Sequence, residues 1–108
     1  MTRPFRFSPQ AALLAGALLK SPSEWTYGYD LMGATGLGAG TLYPLLRRFT
    51  DHGWLRARWE ERGEDGRPPR HLYRLTADGA RGARKLVARA RSASASLVRP
   101  NNLTPGAT

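Results

Sequence analysis

Residues 38–48, reading Gly, Ala, Gly, Thr, Leu, Tyr, Pro, Leu, Leu, Arg, Arg, constrain this chain more than any other stretch. Leu42, Leu45, Leu46 and Phe49 recur at i, i+3, i+4 and i+7, the spacing that lines one side of an α-helix. The segment therefore predicts a helix docked on a core by its leucines. The opposite side is left with Gly40, Tyr43, Pro44, Arg47 and Asp51. Small and polar residues in a first turn, followed by Arg47 and Arg48, suit a helix whose start enters a major groove while cations meet phosphate.

Charge points the same way. A formal net charge of +9, from 17 Lys plus Arg against 8 Asp plus Glu, favours a polyanionic partner. Fifteen of these cations are arginine, whose planar fork pairs with phosphate or guanine, although base composition can also enrich arginine. At 108 residues the chain amounts to one domain, which buries roughly 65% of its unfolded surface. With no cysteine there is no disulfide, thiolate metal site or cysteine nucleophile, as expected of a cytoplasmic protein. The longest apolar run, residues 11–19, is shorter than the about 20 residues a bilayer span needs, so no membrane partner is expected. It does not sit like a signal peptide either, because Ser8 and Pro9 open it as a helix.

Along the chain, Ser8 as N-cap and Pro9 at the first helical position begin that first helix. Leu13, Leu14, Ala17, Leu18 and Leu19 cover more than one of its faces. Part of it, Leu14 and Leu18 in particular, is expected to meet a second copy; the other reading is a helix through the middle of its own domain. Residues 25–32 read as a short helix. A glycine-bearing turn then leads into the 39–52 helix, and this pair makes a helix-turn-helix.

Residues 54–60 alternate in the period of a strand, with Leu55, Ala57 and Trp59 expected to face inward. Residues 70–75 alternate likewise, and the polar stretch between them makes a hairpin with a long tip. A helix-turn-helix followed by a hairpin is a winged helix. Its wing, residues 60–70, presents Arg67 and Arg70, held extended by Pro68 and Pro69, to a neighbouring groove, while Glu60, Glu61, Glu64 and Asp65 turn part of it away from phosphate.

Thr76 caps a last helix, with Asp78 in its first turn. Ala83, Val87, Ala90, Ser94 and Leu97 form a heptad seam of small residues along it, which another helix should cover. The alternative is a helix that only packs back on its own domain. The fold class expected is α+β and mainly helical. A winged helix-turn-helix occupies residues 5–75, a dimerisation helix residues 76–99 and a disordered tail residues 100–108.

The runs Phe5 to Ser8, Tyr27 to Leu31, Gly40 to Arg48, Gly53 to Leu55 and Gly66 to Thr76 together resemble the PadR family of bacterial transcriptional regulators. The resemblance covers roughly residues 5–90. It implies a winged-helix domain, a homodimer held by the first and last helices, and repression of a nearby promoter through double-stranded DNA. The family's recognition helix carries over to Thr41, Tyr43, Pro44 and Arg47, and its basic wing residues to Arg67 and Arg70. Gly40, Arg48 and Tyr27, the last toward a flanking phosphate, complete the expected DNA-binding set. Family members also receive aromatic effectors at the dimer interface. A small-molecule effector is therefore a further partner that the resemblance allows, but because residues 76–108 contain no Trp, Tyr or Phe its stacking on that helix is not expected.

No cofactor and no metal is expected. His52 and His71 lack ligand spacing and read as a helix-end residue and a strand residue, so no enzyme is expected. Trp25, Trp54 and Trp59 read as packing. The rival function is a non-specific architectural DNA-binding or RNA-binding protein, which the charge excess would serve equally well.

Overall fold

The structure is a computed structural model that describes residues 5–61 and 66–98, with side chains described as far as residue 93. Helix α1 spans Pro9–Leu19; a short strand β1, Thr26–Tyr27, leads into α2, Gly28–Thr35, and then α3, Ala39–Asp51. Strands β2, Leu55–Trp59, and β3, His71–Leu75, form the hairpin, and α4, Ala77–Val98, closes the described part.

The caps follow the sequence. Ser8 Oγ accepts from the Ala11 N–H at 3.1 Å at the start of α1. Thr76 Oγ1 accepts from the Gly79 N–H at 2.9 Å and donates to the Gly53 carbonyl at 2.7 Å, tying the start of α4 to the end of α3. Between α2 and α3 the turn is made by Gly36, in a left-handed conformation at φ 75°, where an L side chain would be strained. Thr35 Oγ1 supports this turn by accepting from the Leu37 N–H.

Helix α1 lies against α4 of the same chain, and this corrects one expectation. Leu14, Leu18 and Ala83 are 0%, 4% and 0% exposed within the single chain, so they belong to its own core and not to a surface awaiting a second copy. The reason is local: α4 folds back as the second apolar neighbour that an almost wholly apolar α1 requires, so close that a Cβ built on Gly16 would stand 3.8 Å from Val87 Cγ2. Val87 and Ala90 stay half-buried beside this contact. Ser94 and Leu97 fall within the α4 span, but their side chains lie outside the described set, as do residues 100–108 and the acids Glu64 and Asp65.

The sheet is antiparallel in the order β1-β3-β2. Thr26 and Tyr27, expected in a helix, instead pair with Tyr73 and Leu72, and α2 begins three residues later than the expected helix and ends three later. On β2 only Leu55 is buried. Ala57 and Trp59 are exposed, Trp59 by 62%, against the expectation that both face inward. They share Leu55's side of the strand, but this edge strand runs out past the helical layer that covers its base.

The closest packing lies between β2's approach and α4. A Cβ built on Gly79 would stand 1.9 Å from the Trp54 carbonyl oxygen, and one on Gly82 2.1 Å from the Trp54 ring. The two glycines, one turn apart, form a slot that admits the buried Trp54. Trp54 in turn joins Phe5, Phe49 and His52 in a cluster of rings with centroids 4.8–5.3 Å apart.

Candidate nucleic-acid interface

Helix α3 is held from behind. Leu42, Leu45, Leu46 and Phe49 are all buried, which fixes the rotation of the helix and leaves Gly40, Thr41, Tyr43, Pro44, Arg47 and Arg48 exposed. Pro44 brings no N–H, so the carbonyl of Gly40 lacks its i+4 donor and remains an acceptor in the first turns. Arg47 faces Asp51 across 3.8 Å with both side chains more than two-thirds exposed. Such a pair is worth about 0–1 kcal/mol and is readily exchanged for a phosphate. Arg48 lies over the Phe5 ring, its guanidinium carbon 5.2 Å from the centroid.

Tyr43 is positioned by a glycine. A Cβ on Gly28 would meet the Tyr43 hydroxyl at 2.8 Å and Cε1 at 2.9 Å, so the ring lies directly over the start of α2. Gly28→Ala should therefore turn Tyr43 away from this seat. The displaced group is the far end of a side chain, so the stability cost stays within about 1 kcal/mol. DNA affinity measured by fluorescence anisotropy should fall nonetheless. An unchanged affinity would show that the seat of Tyr43 is irrelevant to binding.

Pairing places side chains of β2 and β3 on two faces. One face carries Tyr73, His71 and Trp59. The Tyr73 hydroxyl lies 3.3 Å from His71 Nδ1, and the His71 and Trp59 rings stack with centroids 3.9 Å apart. Burial is the main cause that raises the Tyr73 pKa, with nearby Tyr43 adding to it.

The other face carries Tyr27, Glu60 and Arg70. Glu60 accepts from the Tyr27 hydroxyl at 2.7 Å and from the Arg70 N–H at 2.9 Å, and the Arg70 guanidinium lies over the Tyr27 ring at 4.1 Å. Thus two residues expected at DNA, Tyr27 and Arg70, stand together on the sheet face opposite Tyr73. Arg67 lies near enough to Glu60 to help stabilise its charge.

The Tyr27 hydrogen bond, first, and the Arg70 N–H hold the Glu60 carboxyl below its usual range, while donation to Glu60 raises the Tyr27 hydroxyl. The depressed carboxyl contributes stability above its unfolded pKa and loses it as pH falls through the folded one. The raised phenol contributes below its unfolded pKa and loses it as pH rises through the folded one. Glu60→Gln should accordingly flatten the acid limb of the stability profile, followed by urea unfolding from about pH 7 to about pH 3. Parallel profiles for the two proteins would show that Glu60 does not carry this dependence.

Sequence reasoning missed the seat at Gly28, the slot at Gly79 and Gly82, and the outward Trp59. Each depends on a neighbour distant along the chain. Among the described residues, no cluster of His, Cys, Asp and Glu is arranged to hold a metal ion, and no helix is long and apolar enough to cross a membrane.

A helix-turn-helix with an exposed second helix, completed by a hairpin and backed by a long helix, defines a winged-helix DNA-binding regulator. The profile of the transcriptional regulator PadR-like family matches residues 23–85, and the chain belongs to that family. Among solved structures it is similar to the PcaV transcriptional regulator of Streptomyces coelicolor, determined with its natural ligand. The two are 28% identical, with a TM-score of 0.69, over 98% of this chain and 69% of that one. A PadR-like transcription factor of Bacteroides fragilis is 27% identical, with a TM-score of 0.62, over 82% of this chain and 88% of that one. Bordetella bronchiseptica BpsR, 19% identical, shares the fold at a TM-score of 0.71, over 92% of this chain and 65% of that one. No curated protein sequence matches the chain.

Proposed function

We propose that this transcriptional regulator is a sequence-specific repressor that binds a pseudo-palindromic operator as a homodimer. Two α3 helices related by a two-fold axis would enter successive major grooves about 34 Å apart. Thr41 and Tyr43 contact base edges or phosphates, Arg47 and Arg48 the backbone or a guanine, Tyr27 a flanking phosphate, and Arg67 and Arg70 the neighbouring groove. The observation that carries this reading is the outward face of α3, which is polar, cationic and uncovered on a helix whose rotation four buried side chains fix.

The second copy docks on the groove between α1 and α4. This groove, of about 730 Å³, is lined by Phe7, Leu13, Val87 and Ala90 among others, and Leu13 is 51% exposed at its edge. An exposed apolar surface of this kind is what a partner helix covers. It stands next to, and not upon, the buried Leu14 and Leu18. The Streptomyces regulator was solved with its natural ligand. A small-molecule effector here would share this groove, where Phe7 supplies an aromatic ring.

Selection of bound sequences from a random duplex pool tests the reading. An inverted repeat among the winners is expected. Enrichment of no sequence would leave the architectural alternative, in which affinity falls uniformly with salt and no specificity ratio of roughly 10³ or more remains.

A further inference from the structure

The sheet face that carries Tyr27 also holds three arginines that the operator reading does not use. Arg56 stands directly opposite Arg74 in the register of β2 and β3, and Arg58 lies two residues further on the same side. The guanidinium carbons of Arg58 and Arg74 lie 4.5 and 4.9 Å from the centroid of the Trp25 ring. Arg56 and Arg74 also line one shallow hollow with Ser23, at the start of α4. Like charges directly opposite on neighbouring strands are destabilising, so this arrangement costs the fold stability. No carboxylate among the described residues forms an ion pair with Arg56, Arg58 or Arg74, although Glu61 shares a shallow hollow with Arg58. Glu60, at the end of this face, is taken up by Tyr27 and Arg70.

We propose that this outer sheet face binds the phosphate backbone of a second DNA duplex, one other than the duplex read by α3. Charge complementarity selects a polyanion, and guanidinium forks bind phosphate bidentately. The Trp25 ring already carries two guanidiniums, which argues against base stacking on it and favours a duplex backbone over a single strand. Arg56 and Arg74 stand at the base of the hairpin beside the start of α4, away from the wing tip and on the sheet face opposite Tyr73, and this position selects a separate segment. The protein would then join two stretches of DNA, one chosen by sequence and one held by charge. The inference rests on the DNA-binding reading only for the first of the two.

The test uses the whole 108-residue chain, bead-bound duplex carrying the selected inverted repeat, and a labelled duplex of unrelated sequence. Protein loaded on the beads should retain the label. The triple variant Arg56→Ala, Arg58→Ala, Arg74→Ala should load equally but lose most of it. Its affinity for the unrelated duplex should fall less steeply with salt, by roughly two to three in the slope of log K against log salt. A variant losing the same charge from α4, Arg81→Ala, Arg84→Ala, Lys85→Ala, should retain the label. Retention by the sheet variant overturns the proposal. So does equal loss in both variants, which would make net charge the cause, and so does an unchanged salt slope, which would turn the face toward an acidic protein. The variant Thr41→Ala, Arg47→Ala judges the operator reading separately: it should fail to load on the beads yet lose no more than about one from the salt slope on unrelated duplex, against the roughly two to three lost by the sheet variant.

Discussion

Gly79→Ala should unfold this protein or bring it close to unfolding. Within a helix, glycine to alanine ordinarily stabilises by up to about 1 kcal/mol, because alanine restricts the unfolded chain. At Gly79 the added methyl would lie 1.9 Å from the Trp54 carbonyl oxygen and within 3 Å of two more Trp54 backbone atoms, so backbone and not a side-chain tip must move. Overpacking typically costs about 1–3 kcal/mol even when side chains can yield. Here the same shift would also disturb the bond from the Thr76 N–H to the Trp54 carbonyl, and a loss above about 3 kcal/mol is expected against a total of about 5–15 kcal/mol. Gly33, in α2 with nothing within 4 Å of its built Cβ, is the control: its alanine variant should gain about 0.5–1 kcal/mol. Urea unfolding of the two variants decides the matter. A Gly79→Ala midpoint at or above that of the parent would show that Trp54 is not confined as described.

Arg47→Ala should weaken binding to the selected operator by about 1–3 kcal/mol, roughly 5- to 150-fold, if the guanidinium reads a base. Its ion pair with Asp51 is exposed on both sides, so removal costs the fold little and the binding loss is cleanly assigned. The expected pattern is a large loss on the inverted repeat and a smaller one on unrelated duplex. Equal losses on both would reassign Arg47 to phosphate. No loss at fixed salt would remove it from the interface.

Local rules made much of this fold legible. The leucine stripe of α3, the Ser8 and Thr76 caps and the alternation of β3 each express a periodicity or a hydrogen bond contained in a few consecutive residues. β1 was not legible, since two residues hold strand geometry only because Tyr73 and Leu72 lie beside them. Alternation likewise placed Ala57 and Trp59 on Leu55's side of β2, but how far the helical layer extends over that side is set by tertiary packing. An apolar surface on α1 announced burial without naming its partner, and α4 of the same chain took the place given to a second copy at Leu14 and Leu18. For the candidate site, composition and motif order picked out α3, while the division of the arginines between two sheet faces required the register.

The clamp of Trp54 between Gly79 and Gly82 also has a mechanical meaning. At 22 residues, α4 is a rod about 33 Å long whose base is bolted to the end of α3. A pivot of five degrees at the bolt sweeps the tip through about 3 Å, and a force at the tip returns to the bolt magnified by leverage. A displacement of the far end of this rod to which α1 yields would therefore be carried to the end of α3.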